Sequence, residues 1–147
     1  MATALQVASH ILNIHGPMST MKVQKLVYFS QAWHLVWRDR PLFDEPIEAW
    51  AGGPVVRSVW AAHRGQFMVT ASQFGLQPPL APAEAAVVDI VTGHYARWDG
   101  AQLSTLTHQE APWRDARAAA GLRAGQRGNA VIDLNDMAEY YRGVATG

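Results

Sequence analysis

Thr107-His108-Gln109-Glu110 carries the residue types of a catalytic site, with an imidazole and a carboxylate two residues apart. H-x-E is the spacing that zinc deaminases use for metal binding and general acid–base work, and it needs a downstream cysteine pair to complete the metal site. The 147-residue chain contains no cysteine, so the match fails as a zinc centre. A local reading explains the carboxylate instead. Thr107 and Glu110 fit a T-x-x-E capping box, in which each side chain satisfies a free amide at a helix start. Pro112 and Trp113 then fall in the first turn of the following helix. On this reading Thr107 and Glu110 are structural, and His108 is an exposed or hinge residue without an assigned role.

Other chemistry is sparse. The six histidines, at 10, 15, 34, 63, 94 and 108, form no HExxH pair, and no two are spaced i, i+4 on one helix. Lack of cysteine removes thiolate nucleophiles, disulfides and cysteine-based metal sites. Gly52-Gly53-Pro54 precedes an expected helix, where free amides can hold an anion. Pro54 deletes one such amide, and no phosphate-loop or dinucleotide glycine pattern is present. Glu45 and Glu48 are split by Pro46, while Asp133 and Asp136 sit at a helix start, where acids complement the helix dipole. The expectation is therefore no catalytic residue, no metal ligand and no cofactor.

Charge narrows the partners. Twelve Lys and Arg balance twelve Asp and Glu, whereas nucleic-acid binders carry a basic excess or a basic face. Arg114, Arg117, Arg123 and Arg127 against Asp115 form the one locally basic stretch, read first as a solvated face. Lys22 and Lys25 open a long helix, but the turns after them, LVYF and AWHL, have core rather than base-reading composition. Nucleic acid is thus not the expected partner. No run of 18 apolar residues exists and the N-terminus lacks the basic residues of a signal peptide, so no membrane association and a cytoplasmic location are expected.

The elements that must position these residues read as mainly α. About six helices and two or three very short strands are expected, in a single domain over residues 1–147. A first helix carries Leu5, Ala8, Ile11 and Leu12 and stops at Gly16-Pro17. Ser19 caps a long second helix, Thr20 to Trp37, whose stripe of Leu26, Phe29, Trp33, Val36 and Trp37 makes it central. Lys22, Gln24, Lys25 and Gln31 are its polar positions. Ile47 to Ala51 alternates as a short strand, with Trp50 on the face opposite Ala49 and Ala51. Gly53 permits a sharp turn, and Pro54 suits the first turn of a helix running to His63 that buries Trp60. FMVT at 67–70 reads as a short strand, Pro82 opens a helix reaching about Trp98, and Leu103 to Leu106 is one helical turn. A helix from Ala111 to about Ala120, a glycine-rich loop and a last helix capped by Asp133 or Asn135 complete the chain.

Three stretches, MKVQKLVYFSQAWHLVW at 21–37, PIEAWAGGPVVRSVW at 46–60 and LSTLTHQEAPWRDAR at 103–117, together resemble the Panacea domain family, also described as SocA-like or phage-associated GepA-like proteins. The family pattern is met in order by Lys22, Lys25, Leu26, Tyr28, Gln31, Glu48, Trp50, Gly53, Pro54, Val55, Thr107, His108, Pro112 and Trp113. Phe29, Ser30 and Gly52 depart from it.

The resemblance implies a mainly helical antitoxin that neutralises a protein toxin encoded nearby, by masking it or by delivering it to a cellular protease. Partner contacts are expected at Lys22, Lys25, Tyr28, Glu48, Trp50, His108, Trp113 and Arg114, with Gly53, Pro54, Thr107 and Glu110 as structural positions. Two alternatives compete: a small helical DNA-binding regulator using Lys22, Lys25 and the arginine stretch, and a hydrolase or nucleotide-binding enzyme using His108, Glu48 and the Gly-Gly-Pro turn.

Overall fold

A computed structural model describes residues 1–146 as seven α-helices, one 3-10 turn and four short strands in two small sheets. Helix α1 (Ala4–His15) starts at a Thr3–Gln6 capping box and ends at Gly16, whose φ of 81° lies in the left-handed region. Helix α2 (Thr20–Arg38) starts where the Ser19 hydroxyl accepts from the Lys22 amide at 3.1 Å. It ends at Asp39, a left-handed cap at φ 57°, two residues ahead of Pro41.

Ten successive residues of α2, Val23 to Ala32, are buried. Helices α1, α4 (Pro82–Tyr95), α5 (Gly100–Gln109) and α7 (Leu134–Thr146) surround it. Three of the positions read as polar are therefore inside: Gln24, Lys25 and Gln31. The two glutamines serve as substitute strands. Gln24 accepts from the Val56 amide at 2.9 Å and donates to its carbonyl at 3.2 Å. Gln31 accepts from Leu42 at 2.7 Å and donates to Phe43 at 2.8 Å. Each satisfies loop or edge backbone that burial would otherwise leave unpaired. At the other end of the stripe Trp33 is half-buried and Trp37 exposed.

Strands β2 (Ile47–Trp50) and β3 (Gly53–Val56) form an antiparallel hairpin, with Ile47 opposite Val56 and Trp50 opposite Gly53. Pro54 thus lies in a strand and does not begin helix α3 (Arg57–His63). The Ala49 amide points away from β3 to the Ala130 carbonyl at 2.7 Å. Ala49 and Pro54 are therefore a non-hydrogen-bonded pair, and the missing N–H of Pro54 falls on the outer edge, where the ladder does not use it. Residues 130–132 pair along the far side of β2, with the Ile132 amide donating to Ile47 at 2.8 Å. The second sheet pairs β1 (Met18–Ser19) with β4 (Met68–Val69).

Helix α5 is a full helix, capped by Asp99 on the Gln102 amide at 2.8 Å, rather than a single turn at 103–106. Thr107 consequently sits inside it, donating to the Ser104 carbonyl at 2.7 Å, and cannot cap the next helix. That helix, α6 (Ala111–Ala119), has Glu110 as its N-cap with no side-chain cap bond. The expected capping box is absent, and the Glu110 carboxylate turns inward to Tyr141. Asp133 does cap α7, accepting from the Asp136 amide at 3.0 Å.

Candidate functional site

The β2–β3 hairpin is the corner on which most of the singled-out residues converge. Its two-residue turn, Ala51-Gly52, is held by Ser104 of α5, whose hydroxyl donates to the Gly52 carbonyl at 2.5 Å. Gly53 has φ 125°, and a side chain there would collide with Lys25 and crowd the Thr107 hydroxyl. Glycine is required on both counts. From α6, Trp113 donates its indole N–H to the Trp50 carbonyl at 2.8 Å, and Arg117 donates to the Ala49 carbonyl at 2.9 Å. Arg117 also holds the Arg123 and Gln126 carbonyls. It is buried, so the basic stretch of the sequence loses one member to structural duty, while Arg114, Arg123 and Arg127 are exposed.

Lys25 comes up beneath this corner from α2. Its ammonium is almost fully enclosed and donates to the Pro54 carbonyl at 3.2 Å. Burial pulls its pKa from an ordinary 10.5 to about 7. His63 is pulled down by burial and further by the Lys25 charge. His108 is also pulled down, first by burial and then by Lys25 and Arg117. The His108 ring lies flat on Trp113, 3.9 Å between centroids and 4° from parallel. Its Nε2 is 3.5 Å from the Ser104 hydroxyl, too long to compete with the 2.5 Å bond that hydroxyl gives Gly52. His108 and Ser104 thus brace the turn rather than form a base–nucleophile pair.

On the outer face of the hairpin Glu48 accepts from the Trp50 indole at 2.7 Å and from Arg57 at 2.9 and 3.3 Å. These bonds fix the Trp50 rotamer. Trp60 of α3 packs edge-on against Trp50, 5.5 Å between centroids, and both are half-buried. Trp60 is therefore a surface aromatic, not the core residue the sequence suggested: α3 spans only seven residues and turns its Val59 inward in its place. Arg57 lies over Trp50 and Arg64 over Trp60, at 5.5 and 5.7 Å. The tryptophan pair separates two open cavities. One, of about 280 Å³, is walled by Gln24, Lys25, Val55, His63 and Arg64. The other, of about 520 Å³, is walled by Ala51, Arg57, Arg127 and Asn129.

The structure thus gathers Lys25, Glu48, Trp50, Gly53, Pro54, Thr107, His108 and Trp113 at one corner. Lys22 is elsewhere, half-buried and donating to the Ala96 carbonyl at 2.6 Å beyond α4. Arg114 is exposed on α6. Tyr28 and Glu110 belong to a separate cluster closed by Tyr141 of α7. Sequence reasoning missed Gln24, Arg57, His63 and Ser104. Arg57 lies two residues beyond Val55, the residue opposite Glu48 in the hairpin. Among the described residues no three His, Asp or Glu are grouped to hold a metal, and no helix is long and apolar enough to cross a membrane.

Comparison with known proteins gives one family. The family model described as "Antitoxin SocA-like, Panacea domain" matches residues 23–114, from the buried part of α2 through the hairpin to the first turn of α6. No curated protein and no solved structure matches the chain significantly.

Proposed function

Because the chain belongs to the SocA-like Panacea family of antitoxins, we propose that it acts as a single domain that neutralises a protein toxin by binding it directly. The observation that carries this reading is the Trp50–Trp60 pair, half-exposed, edge to edge at 5.5 Å and flanked by Arg57 and Arg64. Tryptophan and arginine dominate binding hot spots, because each offers large contact area with few side-chain rotations to lose. Here Glu48 sets the Trp50 and Arg57 rotamers in advance, which lowers the ordering cost of association. Masking the toxin and handing it to a protease both begin with this contact.

Co-expression tests the reading. The small reading frame beside this one should arrest growth when expressed alone, and growth should return when both are expressed. Trp60→Ala should weaken rescue while leaving the fold intact. A harmless neighbour, or one that stays toxic beside the wild-type protein, contradicts the proposal. A toxin whose half-life shortens on co-expression identifies the protease route, and one that persists in a complex identifies masking.

A further inference from the structure

Lys25 is buried without a counter-ion. Its relative exposure is 2%, and its one hydrogen bond, at 3.2 Å, goes to a backbone carbonyl. An ammonium offers three donors. The three ion pairs among the described residues are His10–Asp89, Arg57–Glu48 and Arg142–Asp39, and none includes it. A buried charge of this kind is costly unless something neutralises it. Lys25 also forms part of the wall of the 280 Å³ cavity, with Gln24, His63, Trp50 and Trp60.

Three features say what enters. The charge around the opening has one sign: Arg64 lines this cavity, Arg57 and Arg127 line its neighbour, and no Asp or Glu lines either. Glu48, close by, is already engaged by Arg57 and Trp50. The volume falls just below the range of about 300–1,000 Å³ that accepts a drug-sized ligand or cofactor, and it suits one or two amino-acid side chains. Apolar surface adjoins the rim. Met21 belongs to the cavity lining, the Thr20 amide holds the Phe67 carbonyl at 2.9 Å, and Met21, Phe67 and Met68 are 41%, 79% and 49% exposed.

We propose that this cavity seats an acidic residue from the surface of the partner protein, its carboxylate paired with Lys25 and its apolar neighbours covering Met21, Phe67 and Met68. The proposal rests on the antitoxin reading and names the chemistry of the contact. The carboxylate supplies the missing counter-ion, and the apolar patch supplies area beside it. Lys25 is then a binding residue held at a cost to the free protein, which is the reverse of what a structural lysine would show.

Lys25→Met keeps the apolar stem and removes the charge. Its melting temperature should rise, and its affinity for the neighbouring toxin should fall at least tenfold. Unchanged toxin affinity in a folded Lys25→Met overturns the inference and leaves the antitoxin reading standing. Failure of the wild-type protein to neutralise the neighbour overturns that reading, and a second measurement still decides the cavity. An acetyl- and amide-capped Phe-Asp-Leu peptide, titrated into wild-type protein, should shift the indole N–H resonances of Trp50 and Trp60. The Phe-Asn-Leu counterpart should bind at least fivefold more weakly. Equal binding of the two peptides, or binding of neither, refutes the acidic anchor. Sodium acetate that shifts the same signals at the same concentrations would make this a small-anion site and would also overturn the proposal.

Discussion

Two buried ionisable side chains, Lys25 and Glu110, are both moved to a pKa of about 7 by burial, one from above and one from below. Their surroundings differ. Glu110 accepts from the Tyr141 hydroxyl at 2.8 Å, and that hydroxyl lies 3.0 Å from Tyr28. A tyrosine has a single proton to give. When Tyr141 donates to Glu110, its oxygen is free to accept from Tyr28, so two hydrogen bonds link the three side chains. Phe29 and Tyr140 pack edge-on around Tyr141, 6.2 and 5.0 Å between centroids. The cluster ties α2 to α6 and α7. Lys25, by contrast, has one long bond to a carbonyl and borders a cavity beside two half-exposed tryptophans. A shifted pKa marks both places. Both side chains are buried, Lys25 at 2% and Glu110 at 8% exposure, so unmet hydrogen-bonding capacity beside a cavity is what separates the proposed partner contact from the cluster that holds the fold together.

That contrast can be broken in three ways, beginning with the largest effect. Trp113 is buried and supports the hairpin through the Trp50 carbonyl and the His108 ring. Trp113→Ala should cost about 3–5 kcal/mol, the range for truncating a buried aromatic, read from urea denaturation. A loss below about 1 kcal/mol would show that the hairpin stands without α6, and that the open region is not rigidly built.

Next come two opposed pH slopes. Between pH 7 and 10.5 the unfolded chain keeps the Lys25 proton that the folded chain has released, so stability rises with pH in that window. Between pH 4.5 and 7 the folded chain keeps the Glu110 proton that the unfolded chain has lost, so stability falls as pH rises there. Each slope approaches roughly 1.4 kcal/mol per pH unit. Lys25→Met should flatten the alkaline rise alone and Glu110→Gln the acid fall alone. Both are taken as differences from wild type, so that His34 cancels; His63 and His108, which the Lys25 charge helps to lower, act below pH 6.5 and leave the alkaline window to Lys25. Denaturation at pH 5, 7 and 9 checks this, and identical profiles for both variants and wild type would refute the contrast.

The smallest effect is at Tyr141. Tyr141→Phe should cost about 1–3 kcal/mol by leaving Glu110 and Tyr28 without their link, with toxin affinity unchanged. A loss of affinity at unchanged stability would move the binding region to α7.

Local signals carried much of the fold. The cap at Ser19, the stop at Gly16, the opening of α4 at Pro82 and the cap at Asp133 each depend on a few neighbouring residues, and each was legible. Membership of the SocA-like family was legible as well, because its motifs are spelled out in the chain. What escaped depended on distant partners. A T-x-x-E reads the same whether a helix starts at Thr107 or ends just beyond it, and only α7, arriving with Tyr141, decides where Glu110 points. Gln24, Lys25 and Arg117 look like surface residues until the hairpin is laid against them. Pro54 looks like a helix start until Ala49 is seen to face the other way. The aromatic of interest shifted accordingly: Trp50 was recognisable from its alternation with Ala49 and Ala51, but its companion Trp60 was not.

Hydrogen–deuterium exchange of the complex with the neighbouring toxin tests the central claim most directly. Protection gained on binding should fall on residues 20–28 of α2 and on 47–68, which include the hairpin, α3 and the start of β4. Helix α7, with its tyrosine cluster, should exchange as it does in the free protein. Protection confined to α6 and α7, with the Trp50–Trp60 region unchanged, would contradict the account.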